Sequence, residues 1–148
     1  HYQHNTPNLI AVTDVSVSPE NAILTEGETI NLTTTITPLN ASDTSVTWHS
    51  SNVNIATVSF DGVVTANSEG VSTISVITND GQFNATSTIT VERALISVTG
   101  ISLSEETLNM TAGELKIITA TVTPQNADNK TINWSSNNSA IVAVDTNG

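Results

Sequence analysis

The sequence predicts an all-β protein made of two tandem β-sandwich domains, the second of them truncated. Three observations predict it. The stretch Val46–Gly62, VTWHSSNVNIATVSFDG, returns as Ile132–Gly148, INWSSNNSAIVAVDTNG, and Gly27/Gly113, Pro38/Pro124, Trp48/Trp134 and Gly62/Gly148 all lie 86 residues apart without a gap. That period is too long for a solenoid repeat and suits small domains in series. The chain is 37% hydrophobic but only 3% aromatic, so its apolar residues are mostly Val, Ile, Leu and Ala. Together with abundant Thr and Ser, this is a β-sheet composition. Turn signals recur roughly every 8–12 residues, as in a two-sheet sandwich, with no helical pattern between them.

Taken in order, residues 1–11 form an N-terminal segment. Asn8–Ser18 begins the first strand, where Val15 and Val17 alternate with Ser16 and Ser18 in the period-two pattern of a half-buried strand. Pro19-Glu20-Asn21 interrupts it and Ile23-Leu24 briefly resumes it. Glu26-Gly27-Glu28 makes a turn. Thr29–Thr37 reads as one strand, with Ile30, Leu32, Thr34 and Ile36 on one face and polar residues on the other. Pro38 ends it, and Asn40–Thr44 is a polar loop. Ser45–Ser50 and Ile55–Ser59 are strands, and Phe60-Asp61-Gly62 turns the chain into Val63–Ala66. An Asp-Gly pair between apolar strands is a strong hairpin signal. A second hairpin joins Val71–Thr78 to Phe83–Glu92 through Asn79-Asp80-Gly81.

The first domain thus spans residues 12–92, a linker 93–97, and the second domain 98–148. The second stops at the counterpart of Gly62 and lacks about 30 residues present in the first. Those strands are expected from a continuation of the chain or from a neighbouring subunit, since a sandwich without them would expose its core face and sheet edges. The linker repeats as well: Asn8–Thr13, NLIAVT, matches Ala94–Thr99, ALISVT. It is short and apolar, unlike floppy Gly/Ser linkers, and is expected to dock onto both domains and hold them in line.

The net charge is −11, from 14 acidic and 3 basic side chains. Such a surface repels phosphate backbones and anionic lipid, which argues against nucleic-acid and membrane partners. There is no cysteine, so no disulfide contributes. No apolar run approaches membrane-spanning length, and no signal peptide is seen. The polar start His1–Pro7 reads as a mature or trimmed end.

The pieces Gly27-Glu28, Thr37-Pro38, Asn40-Ala41, Val46-Thr47-Trp48, Ser50-Ser51-Asn52, Ile55-Ala56-Thr57-Val58, Asp61-Gly62-Val63-Val64 and Glu69-Gly70 occur together and in order. This pattern closely resembles the bacterial immunoglobulin-like domain, group 2, across domain one and across domain two from Val98 to Gly148. The resemblance implies an immunoglobulin-like sandwich found in tandem in adhesins of the intimin and invasin kind. Relatives also occur in surface-layer proteins, secreted polysaccharide-degrading enzymes and phage virion proteins. The family has no catalytic residues to carry over, and no cofactor is implied.

Each candidate site has a plain structural role beside it. Trp48 and Trp134 are possible sugar-stacking platforms, but they share one repeat position, as core tryptophans between two sheets would. His1 and His4 offer two imidazoles to a metal, yet sit at a polar terminus. His49 becomes Ser135 in the second copy, so the fold does not require it. No nucleophile–base–orienter set can be assembled. Asp14, Asp43, Asp61, Asp80, Glu92, Glu105 and Glu106 offer oxygen ligands for calcium, but without EF-hand spacing. Asn-X-Ser/Thr sequons stand at Asn31, Asn40, Asn84, Asn109, Asn129, Asn133 and Asn137, as an Asn-, Ser- and Thr-rich chain generates by chance. No catalytic, cofactor or metal residue is therefore assigned.

The expected function is a non-enzymatic structural or spacer segment of a bacterial extracellular or cell-surface protein, an adhesin-like stalk. Its partners would be neighbouring immunoglobulin-like domains of the same chain or of adjacent subunits. A surface glycan or protein receptor would be met through other domains. Two alternatives stand beside it: an accessory, glycan-binding module of a secreted polysaccharide-degrading enzyme, and a phage virion surface or tail module.

Overall fold

The computed structural model describes residues 8–148. Two compact units divide at Ala94 and Leu95. In the first, nine strands occur among the described residues: β1 Asp14–Ser18, β2 Asn21–Thr25, β3 Thr29–Asn31, β4 Thr33–Thr37, β5 Val46–Ser50, β6 Ala56–Val58, β7 Val63–Ala66, β8 Gly70–Thr78 and β9 Asn84–Glu92. One sheet has the order β2-β9-β8-β5. Facing it, β1 pairs with β4, and β3 pairs with β7, which pairs with β6. All pairs are antiparallel except β2 with β9.

The alternation read from the sequence sets the two faces. Val15, Val17, Leu32, Ile36, Ala56, Val64 and Ala66 point inward from one sheet and Leu24, Ile74, Val76, Ile89 and Val91 from the other. Thr86, Thr88, Thr90 and Thr73 fall on the alternate positions of β9 and β8 and are exposed or half-buried. Four polar side chains are nevertheless buried: Ser50, Ser72, Thr78 and Ser87. Each has a partner, as burial demands. The Ser50 hydroxyl donates to the Ala56 carbonyl at 2.5 Å and lies 2.9 Å from that of Ser72. Ser87 donates to the Pro19 carbonyl at 2.7 Å. Thr78 donates to the Asp80 carbonyl at 2.7 Å and accepts the Phe83 N–H at 2.9 Å.

Two expectations need correction. Thr29–Thr37 is not one strand. Its first part pairs with β7 and its last with β1, and at Leu32 the chain changes partner, its N–H donating to the Gly62 carbonyl at 2.9 Å. The first ladder begins at Asp14, not Asn8. Residues before it run as an arm, joined by Thr13 N–H to the Thr37 carbonyl at 2.7 Å and by Ser42 N–H to the Ile10 carbonyl at 2.9 Å.

Residues 95–148 hold counterparts of positions 9–62 only. Their strands, β10 Gly100–Leu103 and β11 Ala120–Thr123, pair as Gly100↔Thr123, the register of Asp14↔Thr37 moved by the same 86 residues. Hydrogen bonds recur too: Ile118 N–H to the Gly148 carbonyl at 2.8 Å, Asp128 N–H to that of Ile96 at 2.9 Å, and Thr99 N–H to that of Thr123 at 2.8 Å. The apolar positions differ in burial. Val17 is 6% exposed and its counterpart Leu103 44%, because β8 and β9, which complete the core in the first unit, have no counterpart in this span.

Candidate functional site

The densest polar chemistry in the first unit lies where the chain enters. The loop after β4, the β8–β9 turn and the N-terminal arm meet there. Asp43 is the centre: its Oδ1 accepts the Ser45 hydroxyl at 2.5 Å and the Ser45 N–H at 3.0 Å, and its Oδ2 accepts the Asn79 amide at 2.7 Å. These donors favour the ionised form. Led by the Ser45 hydroxyl, then Asn79, they hold the carboxyl at about 2, below its ordinary 3.8. Asp80 Oδ2 accepts the Val12 N–H at 2.9 Å, closing the arm onto the turn. The sequence places Asp80 in the Asn79-Asp80-Gly81 turn and among the carboxylates open to calcium; a bond spanning 68 residues leaves no local signal.

Both carboxylates act on the protein's own donors and tie loops together. Asp43 has a depressed pKa, so its contribution is fully present above 3.8 and is lost as pH falls through about 2. Melting followed by circular dichroism should show a fall in Tm over that window, part of which Asp43→Asn removes. In the second unit the position is already Asn129, whose Oδ1 accepts the Thr131 N–H at 3.1 Å.

The other candidates do not converge on this point. Trp48 is half-buried against the core rather than fully enclosed, because β5 is an edge strand and leaves one flank open. Its indole lies over Gly62, and Trp134 lies over Gly148 in the same way. His49, Asp14, Asp61, Glu92, Glu105 and Glu106 are exposed, as are all seven sequon asparagines. His1 and His4 lie outside the described residues. Among the described residues, no three His, Cys, Asp or Glu side chains come together as metal ligands. A shallow cleft of about 400 Å³ runs between β1 and β9, lined by Ser16, Glu20, Asn21, Thr86 and Thr88 over Val15, Val17 and Ala85. It holds no catalytic pair.

The repeated register, the turn glycines and the tryptophan at one position of both copies define the framework. The family model described as bacterial Ig-like domain (group 2) matches residues 11–89 and 97–148. The chain belongs to this family. Among curated relatives, an "Ig-like virion protein" of Serratia phage KSP90 is 34% identical over 139 residues, which is 93% of this chain and 54% of that protein. An alpha-L-arabinofuranosidase of Bifidobacterium longum is 36% identical over 86 residues, 58% of this chain and 8% of that enzyme. The chain thus spans about half or less of these relatives. A solved structure of an EHEC O157:H7 intimin mutant aligns with 64% of this chain and 52% of its own, at 18% identity and a TM-score of 0.46. Bacterial Ig-like domains of this group therefore occur in virion proteins and in glycoside hydrolases as well as in this chain.

Proposed function

We propose that the chain is a non-catalytic structural segment of a bacterial extracellular or cell-surface protein, one that sets a functional part at a distance, with neighbouring Ig-like domains as its partners. The observation that carries this reading is what the two copies share. Gly27/Gly113, Pro38/Pro124, Trp48/Trp134, Ser50/Ser136 and Gly62/Gly148 are kept, together with the hydrogen bonds around them; Ser136 donates to the Val142 carbonyl at 2.6 Å as Ser50 does to Ala56. Outward chemistry is not kept: Asp43, His49, Phe60 and Asp61 become Asn129, Ser135, Thr146 and Asn147. A module repeated for its fold shows this pattern. One repeated for a site would keep the site.

A second reading, a virion surface module, draws on the 93% coverage of this chain by the phage protein. A module beside a polysaccharide-degrading domain draws on the arabinofuranosidase match. Calorimetric titration with arabinan, carrageenan, chitin and peptidoglycan fragments tests the first reading against the last. The structural reading expects no saturable heat with any of them. Saturable binding to one, abolished by substitutions along the β1–β9 cleft at unchanged Tm, would replace it with the glycan-binding reading.

A further inference from the structure

The four-stranded sheet of unit 1 has an opening at one edge. β2 pairs only with the second half of β9, residues 88–92. Beside the first half, residues 84–87, no strand is paired on that side among the described residues. The chain that would fill it takes another course, crossing at Pro19-Glu20 from β1 on one sheet to β2 on the other. The direction of the open backbone groups follows from the register. Thr78 N–H donates to the Phe83 carbonyl at 2.9 Å, and the same register sets Val76 opposite Ala85 and Ile74 opposite Ser87. Directly bonded pairs alternate along an antiparallel ladder. Ala85 and Ser87 therefore turn their N–H and C=O groups toward β8, and Asn84 and Thr86 turn theirs toward the opening. Thr88, next in that series, shows the direction, since its N–H donates to the Glu20 carbonyl at 2.8 Å.

β1 forms the other wall. In the second copy Ser104 N–H donates to the Thr119 carbonyl at 2.8 Å, the place that Ser18↔Thr33 holds in unit 1. By the same alternation Ser16 and Ser18 bond toward β4, and Val15 and Val17 turn their backbone groups away from it. Val15, Val17 and Thr86 all line the β1–β9 cleft, so main-chain donors and acceptors border it on both sides. Its apolar lining is Val15, Val17 and Ala85, and its one charged side chain is Glu20. Strand edges are commonly guarded by Lys or Pro. Residues 15–17 and 84–87, VSV and NATS, carry no Lys, Pro or charge. Charge then selects the occupant. No Lys or Arg stands before Arg93, whereas nine of the 14 Asp and Glu do. A second copy would set carboxylate against carboxylate, and a basic chain would meet complementary charge.

We infer that the β1–β9 cleft takes an extended basic segment of a partner protein, added as a strand to the open edge of β9 at Asn84 and Thr86. Small or β-branched side chains of that segment lie over Val15, Val17 and Ala85, and its Lys or Arg side chains meet Glu20. In strand addition the main-chain bonds supply affinity and the alternate side chains selectivity. The inference stands apart from the spacer reading, since a spacer without such a partner keeps the same fold. The test titrates the full ¹⁵N-labelled chain with a blocked decapeptide of alternating Lys and Val, followed by NMR. Saturable shifts should centre on the amides of Asn84, Thr86, Val15 and Val17. The fully N-methylated form of the peptide keeps the charge and has no main-chain donor, so it should bind at least about tenfold more weakly. The Glu–Val counterpart should not saturate. Thr86→Pro removes an N–H aimed at the opening and spares the bonds to β8, so it should weaken Lys–Val binding by a similar factor at retained Tm. Equal binding of the Lys–Val peptide and its N-methylated form would overturn the inference, as would shifts spread over the acidic surface or no saturable shift at all.

Discussion

Gly62→Ala should lower the stability of unit 1 by about 3 kcal/mol, the sum expected for left-handed backbone strain and overpacking together. Gly62 has a φ of 84°, a region that side-chain-bearing residues rarely occupy. An added Cβ would stand 2.7 Å from Trp48 Cζ2 and 2.9 Å from the Leu32 carbonyl oxygen. Neither neighbour yields freely: Leu32 is tied back to Gly62 by its own N–H at 2.9 Å, and Trp48 packs against the core. The same geometry recurs at Gly148, whose Cβ would meet the Ile118 carbonyl oxygen at 2.5 Å and Trp134 Cζ2 at 2.7 Å. Urea unfolding of wild type and variant measures the difference. A loss of about 0.5 kcal/mol or less, the level of an ordinary surface change, would mean that this turn is not the pinned point described.

Trp48→Ala should cost about 3 kcal/mol, the low end for large aromatic truncations, since the ring is only half-buried. The indole packs against the core beside Gly62, and its loss opens that flank of the sandwich. The two substitutions should not add, because they share one contact. With the ring gone, Gly62→Ala retains only its backbone strain and the Leu32 clash, so its cost should fall. Phe60→Ala, two residues away but 87% exposed, should change stability by no more than about 0.5 kcal/mol. Circular dichroism follows the wild type and the four variants without relying on tryptophan fluorescence.

The strands were legible because valine, isoleucine and threonine alternate strictly, and the turns because Asp-Gly and Asn-Asp-Gly sit between them. What the alternation cannot show is partnership. Thr29–Thr37 keeps one inward face throughout, so nothing local marks Leu32 as the residue where the chain leaves β7 for β1. Nor does the period reveal that β2 lies parallel to β9, a pairing of residues far apart in sequence. The half-exposure of Trp48 follows from the place of β5 at a sheet edge, which only the strand order supplies. Ser72 and Ser87 are small polar residues inside strands, and nothing local marks them as buried. Their burial depends on the Ser50 hydroxyl and the Pro19 carbonyl, which reach them from distant parts of the chain. Of the polar cluster at the entrance, Asp43 and Asp80 were visible as loop and turn residues, and their long-range bonds were not.

The account holds that what the two copies share maintains the fold, and that what differs between them serves no common site. Replacing three outward residues of unit 1 by their second-copy counterparts, His49→Ser, Phe60→Thr and Asp61→Asn together, tests this most directly. Tm and the binding profile against whole cells and the polysaccharide panel should be measured on the same preparations. The account predicts a Tm within a few degrees of wild type, as for surface changes, and an unaltered profile. An interaction present in the wild type and lost in the triple variant, with Tm retained, would contradict it and place a binding site on this surface.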